Sequence, residues 1–353
     1  MFGTKKMLFL FLFILSILGI TGCGKQTNQN INAGMAAIDK LEYENALTLF
    51  EKAIVNQEDL ELAYRGQGIA YMGMTRYEDA IVAFEKALDH SGMFAGKVEY
   101  DINYYLATAK YKKGDIEGSV KNLDAIIKLH AKEKDAYLLR GSAKLDLEDY
   151  DAGIKDLEMA MKLSGNSTDT IIAVFQIMQD RGYEENGFAY LEKALKKGAG
   201  TISDYETGTI YYYLKDYDNA RNFLEKANAE ENKDKKEEIV KMLGQTYEQL
   251  GDTNYASVLY AKYVEQNPKS IAIYNQLGLS KLELGMNEEA LAAFQKAIEI
   301  TPNEMLQTLT YNEIVAYEKL GEFGKAKVLM ETYLQSYPDD EKANREYVFL
   351  QSR

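Results

Sequence analysis

The sequence predicts an all-α protein, an array of about nine helical hairpins followed by one C-terminal capping helix. Three observations predict it. A small residue recurs at Ala46, Ala80, Ser119, Gly153, Gly187, Ala220, Ala256, Ala290 and Ala326, at spacings of 34, 39, 34, 34, 33, 36, 34 and 36 residues, a regularity that unrelated helices would not produce. Only 3 prolines in 353 residues leave long stretches free of the residue that interrupts a helical hydrogen-bond ladder. The copies run from about residue 27 to 340, which leaves almost no chain for a separate catalytic domain.

At the amino terminus, Lys5 and Lys6 precede an apolar run from Met7 to Ile20 broken only by Ser16 and Gly19, the layout of a secretory signal peptide. Its 14 residues fall short of the about 20 that a membrane-spanning helix needs. The run closes on Ile20-Thr21-Gly22-Cys23, which resembles the lipobox of bacterial lipoproteins. That resemblance implies cleavage after Gly22, lipid attachment at Cys23 and a lipid-anchored location on the cell membrane, facing outside the cytoplasm. A second acyl chain on the new terminus would matter, because one chain alone gives only marginal, reversible binding. Loss of residues 1–22 removes two lysines and no acid, so the formal charge of −14 becomes −16. Residues 23–30 read as lipidated cysteine and polar tether, residues 31–340 as the hairpin array.

Within the array, a second column precedes the first by twelve residues: Gly34, Gly68, Ala107, Gly141, Phe175, Gly208, Gly244, Gly278 and Ile314. Four residues after the first column stand Phe50, Phe84, Leu123, Leu157, Leu191, Leu224, Tyr260, Phe294 and Met330. Small residues in register let two helices approach closely, and the large column fills the space between neighbouring hairpins. Phe175 and Ile314 break the small column, so the fifth and ninth copies are expected as helix pairs with altered packing. The 39-residue step places five extra residues near His90 to Lys97, with Gly92 and Gly96, and the run Glu230 to Glu238 is nearly all charged. Both read as solvated loops. Residues 341–353 carry Ala343, Tyr347 and Leu350 at helical spacing, the pattern of a helix covering the last hairpin's apolar face.

The clearest copy holds Tyr274, Leu277, Gly278, Gly285, Ala290, Phe294, Ala297 and Pro302, and resembles the tetratricopeptide repeat, a 34-residue helix-turn-helix unit. The resemblance implies a right-handed superhelical solenoid whose first helices line a concave groove, with repeat positions 2, 5, 9, 12 and 13 facing the ligand. Carried over copy by copy, it marks Tyr104, Tyr111, Tyr205, Tyr212, Tyr213, Lys241, Gln245, Glu248 and Tyr311 as the partner-binding residues. The groove positions also hold Asp39, Asp101, Asp135, Asp146, Asp169, Asp180, Glu238, Glu283 and Glu318 against Arg65, Lys112, Lys241 and Lys319. The groove is thus more acidic than the chain as a whole, with its 55 acids and 41 bases, and favours a basic or neutral protein or peptide. Tyr205 and Tyr212 lie seven residues apart, so both project from one helix face. Some repeats of this family grip a C-terminal carboxylate; Lys241 and Gln245 imitate part of that site, but Thr308 stands where it needs a lysine.

Several chemistries find no support. A chain with pI near 4.9 repels phosphate backbones, which argues against nucleic acid. One cysteine cannot form an internal disulfide or a thiolate-built zinc site. No serine or cysteine nucleophile has a histidine in a recognisable setting, and no G-x-x-x-x-G-K phosphate loop is present, so neither catalysis nor a cofactor is expected. His90 and His130 read as dipole-complementing residues at helix ends. The expected function is a membrane-anchored scaffold lipoprotein that binds a protein or peptide in envelope assembly, with a glycan or peptidoglycan binder as the alternative, its groove tyrosines serving as stacking platforms.

Overall fold

The computed structural model describes residues 28–92, 96–198, 200–230, 235–338 and 340–353. Cys23, the signal segment and the start of the tether lie outside them. The described residues form nineteen helices, paired in chain order into nine hairpins. These are α1 (Gln29–Asp39) with α2 (Tyr43–Val55), α3 (Leu60–Gly73) with α4 (Tyr77–Asp89), α5 (Lys97–Lys113) with α6 (Ile116–Leu129), α7 (Lys134–Asp146) with α8 (Tyr150–Leu163) and α9 (Thr168–Gln179) with α10 (Glu184–Gly198). Then follow α11 (Asp204–Tyr213) with α12 (Tyr217–Ala229), α13 (Lys236–Gln249) with α14 (Thr253–Gln266), α15 (Ile271–Glu283) with α16 (Asn287–Ile298), α17 (Leu306–Lys319) with α18 (Phe323–Ser336), and last α19 (Glu341–Gln351). The chain divides into two compact units, the first ending at Ala194 and the second beginning at Leu195. No helix of the described residues is long and apolar enough to cross a membrane.

Two boundaries differ from the sequence reading. Helix α1 starts at Gln29, inside the expected tether, because its first amides are satisfied: the buried Glu58 carboxylate accepts from the backbone of Asn30 at 3.1 Å and of Ile31 at 3.3 Å. Helix α13 begins at Lys236, so the end of the charged run is helical rather than loop. Glu237 and Glu238 occupy its first turn, where carboxylates complement the helix dipole.

The columns explain the hairpins. A Cβ added at Gly34 would lie 2.7 Å from the Phe50 ring, one at Gly208 would lie 2.7 Å from Leu224, and Gly68, Gly244 and Gly278 press in the same way on Phe84, Tyr260 and Phe294. The glycine is what lets the large residue of the second helix lie against the first. Phe50 also lies against Gly66 of α3, so one ring fills the seam within a hairpin and the seam to the next.

With position 1 set seven residues before the glycine column, position 15 is left-handed in every hairpin turn: Leu41, Thr75, Gly114, Glu148, Gly182, Lys215, Gly251, Gly285 and Gly321 all have φ between 58° and 97°. That conformation ends the first helix and turns the chain into the second. Five of the nine are glycine, the residue for which it carries no steric cost.

Helix α19 packs on the last hairpin through Ala343 and Leu350, as its pattern predicted. It also keeps the register of a first helix. Counted from Glu341, these are positions 3 and 10, where Leu309 and Ala316, Ile273 and Ser280, and Ile239 and Thr246 are buried in the three preceding copies. Val348 falls in the glycine column and is 66% exposed, with no second helix over it among the described residues.

Candidate functional site

Successive first helices touch one another directly within each unit, α1 to α3 to α5 and α7 to α9 in the first, α11 to α13 to α15 to α17 in the second. Within each unit these helices share a face, and the groove positions of the sequence reading fall along it.

In the first unit three of the groove acids, Asp101, Asp135 and Asp146, are ion-paired within the unit. Arg65 at position 5 donates from Nε to Asp101 Oδ2 at 2.6 Å, position 2 of the next copy, and lies over the Tyr105 ring at 5.7 Å. Asp135 accepts from Lys134 at 2.6 Å. The densest node is Arg181, whose side chain is 5% exposed. Its Nη2 donates to Asp146 at 2.8 Å, to the Ser142 hydroxyl at 2.7 Å and to the Tyr111 hydroxyl at 2.9 Å, and its Nη1 donates to the Ile177 carbonyl at 3.0 Å. Tyr111 in turn donates to Asp146.

Tyr111 is therefore not a free contact residue, contrary to the sequence reading. It is 7% exposed, and burial followed by its hydrogen bond to Asp146 pushes its hydroxyl up to about 12. Tyr104 is half-buried against the cluster of Ala107, Leu123, Ile126 and Ala136, edge-on to Tyr100 at 5.5 Å, with its hydroxyl shut off from solvent. The excess of acids counted along the groove is also smaller here, because Lys134 and Arg181, which match Asp135 and Asp146, stand outside the positions counted. Arg181 occupies position 14, one past the last of them.

The second unit is different. Tyr205 and Tyr212 pack partly buried against its core rather than standing clear of it. Tyr212 meets Tyr213 and Tyr217 edge-on at 5.5 and 5.6 Å, and burial, then these rings and Glu248, pushes it up to about 12. Lys241 is exposed and Gln245 half-buried. Glu248 accepts from the Ser280 hydroxyl, and burial raises its carboxyl above the usual range. Glu283 accepts from the Thr253 hydroxyl at 3.2 Å. Tyr311 lies edge-on to Tyr333 at 6.0 Å, and its ring carries Lys342 Nζ at 4.3 Å. Beside it the Glu318 carboxyl is pushed up to about 7 by burial first and by Glu346 second. Among the described residues, Glu238, Glu248, Glu283 and Glu318 make no salt bridge.

Family models of the tetratricopeptide repeat match residues 104–167, 205–234, 242–270 and 271–304. These stretches are tetratricopeptide repeats. They fall in the third, fourth, sixth, seventh and eighth hairpins; the remaining copies keep the left-handed turn, and the first and second keep the small columns that Phe175 and Ile314 break in the fifth and ninth. Among solved structures, the chain is similar to a tetratricopeptide repeat protein from Parabacteroides merdae, at 13% identity and TM-score 0.45 over 73% of this chain and 98% of that one. It is similar to YrrB, described as a TPR protein with an unusual peptide-binding site, at 20% identity and TM-score 0.40 over 53% and 90%. It is also similar to MamA from Desulfovibrio magneticus, at 16% identity and TM-score 0.43 over 52% and 100%. No curated protein matches the chain. The fold is that of a tetratricopeptide-repeat array, and the matching family models indicate no catalytic family.

Proposed function

We propose that the protein is a scaffold lipoprotein, anchored at the outer face of the cell membrane through Cys23, that binds a basic segment of another envelope protein along the first helices of its second unit. One observation carries the choice of surface and partner: Asp101, Asp135 and Asp146 on the first unit's face are paired with Arg65, Lys134 and Arg181, whereas Glu238, Glu248, Glu283 and Glu318 of the second unit make no salt bridge among the described residues, Lys319 and Lys342 standing near Glu318 but outside ion-pair distance. Carboxylates left without cations attract a cationic partner and set its orientation more than they set raw affinity. The tyrosines beside them offer rigid contact area with few rotamers to freeze. A sugar face needs an open ring to stack on; Tyr205 and Tyr311 already carry lysines, which favours a cationic peptide over the glycan alternative.

The test is capture by the full-length protein in non-ionic detergent, with recovered polypeptides identified by mass spectrometry. The partner should be retained at low salt, released as salt rises, and lost with Glu248→Gln/Glu318→Gln. Salt-independent retention on cell-wall polysaccharide would overturn the reading in favour of the glycan binder. The anchor has its own test: Cys23→Ala should abolish labelling by radioactive palmitate, and unchanged labelling would remove the lipobox from the account.

A further inference from the structure

Two groove tyrosines of the second unit, Tyr205 and Tyr311, already carry cations of the same chain. Tyr311 stands at position 5 of the ninth copy and Lys342 at position 2 of α19, and Lys342 Nζ lies 4.3 Å from the Tyr311 ring centre. Position 5 meeting position 2 of the next first helix is the relation that Arg65 and Asp101 show in the first unit, so α19 is in groove register and its lysine reaches the inner face. A lysine also lies over Tyr205, position 5 of the sixth copy, though from the N-cap of α13 and not from position 2: Lys235 Nζ is 5.4 Å from its ring centre. Lys342 is itself exposed and free to leave. Glu318, Glu346 and Asp340 surround Tyr311 with negative charge, against Arg345, Lys319 and Lys342. A ring face ringed by carboxylates is a site for an ammonium or guanidinium group.

We propose that Tyr311, with Glu318 and Glu346, is a recognition site for a lysine or arginine side chain of the partner, and that Lys342 is a built-in place-holder which the partner's cation displaces. This rests on the basic-partner reading above. It adds a named subsite and a competitor carried by α19.

Binding of fluorescein-labelled octalysine to the full-length protein in non-ionic detergent, with octaglutamine as control, tests it. Lys342→Ala should tighten octalysine binding by about two- to fivefold, the factor set by one exposed cation–π contact. Removing a lysine also makes the surface more acidic, so the same change is repeated in Tyr311→Leu, where the gain should vanish. Tyr311→Phe keeps the ring and should keep both affinity and gain. A readout without mutation is available from 13C-dimethylated lysines: the Lys342 methyl signal, shielded by the ring, should move to the solvent value as octalysine is added. Unchanged affinity in Lys342→Ala, an equal gain in the Tyr311→Leu background, or a Lys342 signal that stays shielded at saturation would overturn the place-holder while leaving the basic-partner reading intact. Failure of octalysine to bind the wild type better than octaglutamine would overturn both.

Discussion

Phe175 on α9 lies against Gly187 on α10, a large residue where seven of the nine hairpins keep a small one. A Cβ added at Gly187 would lie 2.8 Å from the Phe175 ring. Phe175 is fully buried and stacks on Phe188 at 5.6 Å, while Leu191 of the large column stays fully buried as well. The ninth copy pairs buried Ile314 with buried Ala326. Gly187→Leu should therefore cost about 1–3 kcal/mol by overpacking, as should Gly278→Leu against Phe294 in the eighth copy. Because solenoid stability is a sum of local and nearest-neighbour terms, each should broaden or split the melt around its own hairpin. Calorimetry that shows a wild-type melt in either variant would place that glycine outside a close-packed seam.

Thr75 holds φ at 58° in the turn between α3 and α4, where five of the equivalent residues are glycine. A β-branched residue is the least suited to that conformation. Thr75→Gly should stabilise the protein by about 1 kcal/mol, and Gly285→Ala should destabilise it by a similar amount. Denaturant midpoints check both, and a Thr75→Gly variant no more stable than wild type would show that the Thr75 turn is held by contacts other than its own backbone preference.

The columns were legible in the sequence because backbone contact tolerates only small residues and recurs with the hairpin, so both small columns, the large column and the capping residues Ala343 and Leu350 could be read directly. What could not be read was charge pairing. Arg181 reaches Tyr111 across 70 residues, and nothing local marks position 14 as inward-facing. The groove register of α19 was hidden for a related reason: Val348 stands where a glycine would have announced a first helix. Tyr111 was misread because position 12 faces outward only while no neighbouring side chain covers it.

Glu61 and Glu318 both have carboxyls pushed up to about 7, by burial first and then by neighbouring carboxylates, Glu99 for the one and Glu346 for the other. A carboxyl whose folded value lies above its unfolded value binds its proton more tightly in the folded chain. Its contribution is fully present below about 4.5 and is lost as pH rises through about 7. Stability should thus fall between pH 5 and pH 8, by on the order of 1 kcal/mol per group once solvent screening is allowed for. Glu61→Gln/Glu318→Gln should flatten that slope in thermal melts; an unchanged slope would assign it to other groups.

Tyr205 and Tyr212 serve the core as well as the face. Because both pack against the second unit's buried cluster, the double change to alanine should lower stability by about 2–4 kcal/mol, so a loss of partner capture in that variant would not by itself locate the binding surface. Tyr205→Phe/Tyr212→Phe keeps the packing and removes only the hydroxyls, and should melt within about 1 kcal/mol of wild type. A large loss of stability in the phenylalanine pair would show that the hydroxyls are structural.

Arg181 closes the inner face of the first unit, and its removal should be costly out of proportion to one ion pair. Asp146 is only 16% exposed on its side chain, so Arg181→Ala leaves a poorly solvated carboxylate facing Tyr111 with its cation gone. Breaking a buried pair by removing one partner costs about 3–5 kcal/mol, whereas removing both restores much of the loss because no uncompensated charge remains. Arg181→Met/Asp146→Leu should therefore be more stable than Arg181→Ala alone, despite carrying two changes. Tyr111→Phe removes one hydrogen bond to a charged acceptor and should cost about 1.5–3 kcal/mol. Arg181→Lys keeps the charge but loses the planar fork that reaches Ser142, Tyr111 and Asp146 together, and should fall between wild type and Arg181→Ala. Hydrogen exchange followed by mass spectrometry reads where the damage falls: protection should drop in α5, α7 and the end of α9, the three elements that the guanidinium joins. Equal stability of Arg181→Ala and wild type, or exchange altered only beside residue 181, would reduce the node to a surface ion pair and reopen the first unit's face as a place for a ligand.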